Sequence, residues 1–305
     1  MNTQPVQNPT MKAKEWILLF ILSLLWGGSF FFTKIVLREL QPFTVVLGRV
    51  SIAAIALNFF VYKSEQRMPT SPRMWGTFLV MGSLNNLIPF SLIVWGQTQI
   101  DSSLAAILNA TTPLFTVVLA HLLTNDERLT VNRLFGVLFG LCGVFVLVGP
   151  EVVRGLNLQS LGQFAILGAA FCYGCAGIYG RRFKELSPVV ASAGILTSTT
   201  AMILPLAFIL EQPWASRPNA ITWGALLGLG LFNTAIAYLI YFRILTVAGA
   251  TNLSLVAFLI PISALLLGVF VLGERLNWTD FVGMALIFTG LAAIDGRFFR
   301  QSLQR

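Results

Sequence analysis

Amide and hydroxyl side chains lie inside several long apolar runs of this chain, and they are the first candidates for chemistry. An amide surrounded by hydrocarbon must either hydrogen-bond to a neighbouring helix or face a wet cavity. Neither group cleaves bonds by itself, so the chemistry expected of them is the binding of a polar solute. The residues concerned are Asn85, Asn86, Asn109, Thr112, Asn233 and Asn252.

Arg49 is the one charge that lies well inside an apolar run. A helix that starts at Pro42 would carry Arg49 about 10 Å along its axis, at the usual rise per residue. A cation at that depth needs a partner, a wet cavity or a path to the surface. Two interpretations are open: structural pairing with Glu39 or with helix C-terminal carbonyls, and contact with an anionic group of a substrate.

Aromatic residues next to small residues indicate surfaces that a solute or another helix can approach closely. The segments Trp26–Ser29 and Tyr173-Gly174 show this combination, which suits cavity lining and tight helix packing equally. We predict that aromatic side chains form a wall of a binding site. The candidates, together with Ser29, are Trp26, Phe90, Tyr173, Tyr238 and Phe258.

Three prolines within apolar runs predict helix kinks, because proline lacks an amide hydrogen and clashes with the preceding turn. They are Pro89, Pro113 and Pro261. A kink can present backbone carbonyls to a solute or act as a gating hinge, and it also occurs in ordinary helix packing.

Cys172 and Cys175 form a C-x-x-C pattern, which raises a membrane redox enzyme as an alternative function. The pattern lies inside an apolar run, and no other cysteine pair would receive electrons. The single histidine, His121, has no cysteine or histidine neighbours, and no carboxylate lies deep in an apolar run. We therefore predict a protein that is not an enzyme, without catalytic residues, metal site or cofactor.

The composition indicates which solvent surrounds these residues. The chain is 56% hydrophobic and only 10% charged, with a mean hydropathy of +0.80, which excludes an ordinary soluble domain. Its net charge of +8 is spread between the apolar runs rather than along one face, so we predict no nucleic-acid partner.

Ten apolar runs approach the length of about 20 residues that a helix needs to cross a bilayer. We therefore predict an all-α, polytopic integral membrane protein. The predicted transmembrane helices are Trp16–Leu37, Phe43–Tyr62, Trp75–Trp95, Ser102–Leu123, Leu134–Gly149, Leu161–Gly180, Val189–Leu210, Ile221–Tyr241, Thr251–Leu272 and Phe281–Ile294.

Lysine and arginine are distributed unevenly between the two sides of these spans. Fourteen lie on the side of the N-terminus and five on the other side. The positive-inside rule then predicts that both termini are cytoplasmic, in a cell inner membrane. No cleavage site follows the first run, so it is expected to act as an uncleaved signal anchor.

The two halves of the chain resemble each other at an offset of 146 to 148 residues. Each half contains five spans, and because five is odd, the second repeat must cross the membrane in the opposite sense. Inverted repeats can open one central site to each side of a membrane in turn. The matching pairs are Arg38–Pro42 with Lys184–Pro188, Trp75-Gly76 with Trp223-Gly224, Pro113 with Pro261, Glu127–Leu129 with Glu274–Leu276, Gly136 with Gly283 and Gly143 with Gly290.

These motifs, in order and in two copies, resemble the EamA-type carriers of the drug/metabolite transporter superfamily. The first copy includes Trp26–Phe30, Pro42, Arg49, Pro113, Glu127–Leu129 and Gly136, and the second includes Pro188, Pro261, Gly273–Leu276 and Gly283. The resemblance covers nearly the whole chain, although Asn125-Asp126 replace the usual glycine and the second copy has no counterpart of Arg49. It implies a basket of ten helices whose third, fourth, eighth and ninth members surround a central cavity.

The sequence therefore predicts a secondary transporter that exports amino acids or related small metabolites by alternating access. A multidrug, nucleobase or sugar carrier of the same fold is the alternative. The expected partners are a small-molecule solute and the lipid bilayer, with a monomer or a homodimer both open. The predicted organisation is a cytoplasmic tail 1–15, a first EamA-like repeat 16–150, a second, inverted repeat 155–296 and a cytoplasmic tail 297–305.

Overall fold

A computed structural model of the chain describes residues 12–124, 129–153, 157–183 and 185–295, and all regular elements in those ranges are helical. Pro42, Pro72 and Pro188 each stand at the start of a helix, where the missing amide hydrogen removes no hydrogen bond. The α-helices are α1 (Ala13–Val36), α2 (Pro42–Lys63), α3 (Pro72–Gly82), α4 (Ile88–Gly96), α5 (Ser102–Asn109), α6 (Thr112–Leu123), α7 (Val131–Val153), α8 (Leu158–Tyr179), α9 (Pro188–Leu210), α10 (Ala220–Gly230), α11 (Ala237–Leu253), α12 (Val256–Leu267) and α13 (Trp278–Asp295).

Within the described ranges, nine helical stretches are long and apolar enough to cross a membrane, and Val256–Leu272 is a shorter apolar helix. Large apolar side chains cover the outside of the bundle: Phe270 and Trp278 are each 79% exposed. Such a surface is stable only against lipid, so the chain is a multi-pass membrane protein.

The eighth and ninth predicted spans differ most from the structure. The helix that begins at Ala220 continues to Gly249, past its predicted end at Tyr241. Gly249 then breaks the helical path with a φ of 80°, a left-handed conformation that glycine adopts without steric cost. The predicted span Thr251–Leu272 is interrupted by a turn before α12 begins, because Ser254 and Leu255 are not helical.

Two of the nine long spans contain a π-helical turn, Ser83–Leu87 between α3 and α4 and Leu231–Ile236 between α10 and α11. Pro89 follows the first of these turns, and Pro113 follows the break between α5 and α6. Pro261 differs, because α12 continues through it. The irregularities next to α12 are the turn that precedes Val256 and a third π-helical turn, Gly268–Leu272.

Glycines set the closest helix contacts. A Cβ atom on Gly27 of α1 would lie 2.8 Å from the Ile260 carbonyl oxygen, and one on Gly174 of α8 would lie 3.2 Å from the Thr116 amide nitrogen. A Cβ atom on Gly143 of α7 would similarly lie 2.7 Å from the Gly283 carbonyl oxygen of α13. Gly143 of the fifth span therefore lies on a packing face within the chain.

Candidate functional site

Arg49 lies on the buried stripe of α2, between Val46 and Ala53, and is only 7% exposed. Its Nε atom donates a hydrogen bond of 2.9 Å to the Thr234 hydroxyl oxygen. The guanidinium carbon lies 3.9 Å from the centre of the Phe90 ring, a cation–π contact. Three spans therefore meet around one buried positive charge.

No carboxylate among the described residues pairs with Arg49. Glu39, the partner considered from the sequence, instead accepts hydrogen bonds from the backbone nitrogen and side-chain amide of Asn219, at 2.8 and 2.7 Å. The phenols of Tyr173 and Tyr238 also interact electrostatically with the guanidinium. We call Arg49, Phe90, Tyr173, Thr234 and Tyr238 the Arg49 cluster. A buried cation without a counter-ion is costly, so this cluster favours an anion.

An amide network adjoins the Arg49 cluster through Tyr238. The Tyr238 hydroxyl donates to Asn86 Oδ1 at 3.1 Å and accepts from Asn85 Nδ2 at 3.1 Å. Asn86, which is fully buried, also donates through Nδ2 to the Thr199 hydroxyl at 3.3 Å. The structure thus brings the predicted residues Asn85, Asn86 and Tyr238 together.

The π-helical turns position both groups of side chains. Asn85 and Asn86 lie in the turn Ser83–Leu87, and Thr234 lies in the turn Leu231–Ile236. The Thr234 hydroxyl donates to the carbonyl of Leu229, five residues earlier, at 2.8 Å. A π-turn inserts a residue into the helical register and often occurs at functional sites.

The site residues predicted from the sequence do not include Thr199 or Thr234. Thr234 had a signal, since Asn233-Thr234 lies 148 residues after Asn85-Asn86. Thr199 had none, because one threonine in an apolar helix usually bonds to its own backbone. Thr199 does so too, donating to the Ile195 carbonyl at 2.9 Å.

Other predicted polar residues lie outside this network. Asn233 donates to the Leu25 carbonyl oxygen of α1, and its Oδ1 atom is buried without a hydrogen-bond partner among the described residues. Asn109 Oδ1 is in the same situation, while the Thr112 hydroxyl donates to the Asn109 carbonyl at 2.8 Å. Asn252 donates to the Ala248 carbonyl at 2.9 Å, within the same part of the chain.

The predicted aromatic residues do not form one continuous wall. Trp26 packs against Tyr241, with ring centres 5.5 Å apart, in an apolar cluster of its own. Phe258 packs against Phe288 at 5.8 Å, and Ser29 is buried on α1 at 7% exposure. Only Phe90, Tyr173 and Tyr238 belong to the Arg49 cluster.

Cys172 and Cys175 are free thiols on α8, both half-buried. They lie one helical turn apart and form no disulfide. Cys142, on α7, is exposed and also free.

We define the Lys34 end of the bundle as the end where α1 finishes and α2, α5 and α10 begin. Lys34 Nζ donates there to the carbonyl oxygens of Gln97 and Ile100, at 2.9 and 2.8 Å. It therefore binds the C-terminal carbonyls after α4.

Two open clefts of about 490 and 530 Å³ lie at the Lys34 end and share Asp101 and Arg275. Lys34 and Gln97 line the first, and Gln163 lines the second. The Gln97 amide is 1% exposed and lacks hydrogen-bond partners among the described residues. Neither cleft is lined by a predicted site residue. The clefts therefore offer polar groups to a solute at a place that includes no residue of the Arg49 cluster.

Carboxylates at the Lys34 end differ in protonation tendency. Burial and the nearby Glu274 raise the pKa of Asp101. Burial also acts to raise the pKa of Glu274, but hydrogen bonds from Ser102 and Ser103 outweigh it and the pKa is lowered. Hydrogen bonds from the Thr222 side chain and the Asn219 backbone lower the pKa of Glu39. Glu39 and Glu274 are therefore ionised at neutral pH.

Comparison with known proteins places this arrangement among transporters. The EamA-like transporter family matches residues 14–149 and 160–294. The chain is 25% identical over 291 residues to the uncharacterized transporter YoaV of Bacillus subtilis, covering 94% of this chain and 99% of that one. It is also 25% identical over 291 residues to a probable amino-acid metabolite efflux pump of Escherichia coli, covering 92% of this chain and 94% of that one. One crystal structure shares the fold, with a TM-score of 0.67, 21% identity, and coverage of 97% of this chain and 100% of that one.

Proposed function

Because the chain belongs to the EamA-like transporter family, we propose that this membrane transporter moves a small anionic or zwitterionic solute by alternating access. The observation that carries this proposal is the buried Arg49, which has no carboxylate partner among the described residues. A solute carboxylate would supply the missing counter-charge. Its charge-assisted hydrogen bonds to Arg49 would be stronger in this low-dielectric site than hydrogen bonds from water.

The surroundings of Arg49 favour a solute that also has an apolar part. Phe90 and two tyrosines lie around the guanidinium, and all three aromatic residues belong to an apolar cluster that also contains Val46 and Ala53. A pocket with apolar walls and a few convergent polar groups suits a small amphiphile. Amino acids with apolar side chains fit this description, and the E. coli relative is named as a probable amino-acid metabolite efflux pump.

We propose further that the bundle consists of ten spans in two inverted repeats, 16–150 and 155–296, between cytoplasmic tails 1–15 and 297–305. Contacts that recur at the sequence offset support it. Gly48 faces Leu226 and Gly194 faces Phe78, just as Gly27 faces Ser263 and Gly174 faces Thr116. The π-helical turns Ser83–Leu87 and Leu231–Ile236 also begin 148 residues apart. The ninth span in chain order is then the segment from Gly249 to Leu272, which the turn before α12 divides.

The proposed site comprises the Arg49 cluster and the amide network next to it. Asn109, Thr112, Asn233, Asn252 and Phe258, with Trp26 and Ser29, would line the route between this site and the ends of the bundle. The unpartnered oxygens of Asn109 and Asn233 support this assignment, because a buried amide oxygen without a partner is costly unless water or solute reaches it. Pro89 and Pro113 would act as hinges beside irregular helical segments, and Pro261 would bend α12.

Counterflow in liposomes tests the proposal. Liposomes that contain the purified protein are loaded with unlabelled amino acids. Uptake of labelled apolar amino acids is then compared with uptake of their carboxamide derivatives. The wild-type chain should prefer the carboxylate form. Arg49→Gln should weaken that preference about tenfold or more, because it removes a charge-assisted contact worth well over 1 kcal/mol.

Arg73→Gln is the matched control, since Arg73 is an exposed arginine at the start of α3. Arg49→Lys should keep part of the preference, because it keeps the charge and loses the planar fork. Equal transport of acid and amide by the folded wild-type chain would contradict the proposed role of Arg49. Counterflow only of uncharged drugs, nucleobases or sugars would select the alternative carrier functions.

A further inference from the structure

Glu274 joins the segment after α12 to the start of α5 at the Lys34 end. Its Oε1 atom accepts hydrogen bonds from the backbone nitrogen and hydroxyl of Ser102, at 2.8 and 2.6 Å. Its Oε2 atom accepts from the same two groups of Ser103, at 3.0 and 2.5 Å. Four donors therefore converge on one carboxylate at the N-terminus of a helix, where the helix dipole also favours negative charge.

Two further glutamates do the same at other helix starts. Glu211, just after α9, accepts from the backbone nitrogens of Phe43 and Thr44 at 2.8 and 2.7 Å, and from the Thr44 hydroxyl at 2.9 Å. Glu39, just after α1, accepts from both nitrogens of Asn219, which caps α10. We call these three contacts the carboxylate clasps.

Every carboxylate clasp joins one proposed repeat to the other. Glu39 belongs to the first repeat and binds the second, whereas Glu211 and Glu274 belong to the second and bind the first. All three lie at the Lys34 end. A rocking motion that separates the repeats at this end must break all three clasps, so they hold the Lys34 end closed.

The equivalent residues at the opposite end make no such contacts. Glu185 follows α8 as Glu39 follows α1, within the repeated segment Lys184–Pro188, and Ser71 occupies the N-cap position of α3 as Asn219 does in α10. The side chains of Glu185 and Ser71 are exposed, and neither forms a hydrogen bond within the described part of the chain.

Glu65 repeats this pattern. It follows α2 as Glu211 follows α9, within one residue of the equivalent position. The Glu65 backbone is left-handed with a φ of 56°, and so is the backbone of Gln212, next to Glu211, with a φ of 49°. Its side chain is exposed and does not reach the start of α9 in the described residues. The counterpart of Glu274 is Glu127, which lies outside the described residues.

We propose that the carboxylate clasps exchange between the two ends of the bundle during transport. This inference rests on the proposed alternating access. The present structure is the state closed at the Lys34 end. When that end opens, Glu185 accepts hydrogen bonds from Ser71, and Glu65 accepts them from the start of α9. The repeats move as bodies, so the two sets of clasps exclude each other.

Spin-label distances in lipid vesicles test the exchange without any solute. Cys142, Cys172 and Cys175 are first replaced by alanine. One label pair, Gln41→Cys with Arg217→Cys, reports on the Lys34 end, and a second, Ser187→Cys with Thr70→Cys, reports on the opposite end. Each pair should show a short and a long distance, and the short population at one end should match the long population at the other.

Variants that remove one carboxylate charge show in which direction each clasp shifts the ratio of closed to open molecules. Glu274→Gln should lower the ratio of closed to open molecules at the Lys34 end about tenfold, because it weakens four charge-assisted hydrogen bonds. Glu185→Gln should shift the ratio in the opposite sense. Glu15→Gln should leave it unchanged, because the Glu15 carboxylate accepts its hydrogen bond from the Lys12 nitrogen at the start of the same helix. Glu274→Asp provides a second variant that keeps the charge and shortens the reach.

Short distances at both ends in the same population, or a ratio that Glu274→Gln and Glu185→Gln shift in the same direction, would overturn the exchange. Counterflow by a protein whose two distances never change would also overturn it, while the carrier function would stand. Reciprocal distance changes in a protein that moves no solute would have the reverse meaning. They would support the exchange of clasps and contradict the proposed transport.

Discussion

Tyr238 is the residue through which the Arg49 cluster and the amide network meet. Its ring lies near Arg49, and its hydroxyl bonds to both Asn85 and Asn86. A single hydroxyl therefore couples the π-turn of the third span to the cation on the second. Any solute that binds Arg49 would compete with this hydroxyl or use it.

Tyr238→Phe keeps the ring and removes both hydrogen bonds. We expect it to lower the stability of the detergent-solubilised protein by about 0.6–2 kcal/mol and to reduce counterflow more than stability alone explains. Tyr241→Phe is the matched control, because no hydrogen bond of the Tyr241 hydroxyl is found in the described residues. Thermal unfolding and counterflow are measured on the same preparations. Equal effects of the two substitutions would remove Tyr238 from the site.

At the scale of helices, the close contact of α1 with α12 requires glycine at position 27. An added Cβ atom would lie 2.8 Å from the Ile260 carbonyl oxygen and 2.9 Å from the Ala264 nitrogen, and backbone atoms cannot rotate away. We expect Gly27→Ala to destabilise the protein by about 1–3 kcal/mol through overpacking.

Gly76→Ala tests whether this effect is specific to the contact. Gly76 also lies in a helix, but nothing stands within 4 Å of its added Cβ atom. Alanine is there expected to be neutral or to stabilise by up to about 1 kcal/mol, since it is the better helix former. Thermal unfolding of both variants decides, and a Gly27→Ala protein as stable as Gly76→Ala would show that the helices separate at little cost.

At the scale of the whole molecule, the lysine and arginine distribution predicts an orientation in the inner membrane. The loop between α2 and α3 should be cytoplasmic and the loop between α9 and α10 should face outward. In a cysteine-free protein, a membrane-impermeant maleimide should label Ala215→Cys in spheroplasts and label Thr70→Cys only after the membrane is permeabilised. Both positions are exposed, so access by itself does not distinguish them. The reverse labelling pattern would invert the predicted topology.

The sequence by itself determined that lipid surrounds the protein, that its fold is all-helical and to which family it belongs. These conclusions follow from the lengths of the apolar runs and from an ordered set of short motifs along the chain. It also identified Arg49 and the asparagine pair as unusual, since a polar group in hydrocarbon stands out without any knowledge of its neighbours. The offset of the halves further marked Asn233-Thr234 as the position equivalent to that pair.

The tertiary structure alone decided which side chains meet. Arg49 lies beside Thr234 and Phe90 rather than Glu39, because Glu39 binds Asn219 at the start of α10 while the eighth span brings Thr234 to the guanidinium. Trp26, Phe258 and Asn252 face other partners, since the helix face that meets a neighbour depends on how both helices pack. The break at Gly249 and the clasps at the Lys34 end depend in the same way on contacts between residues far apart in the chain.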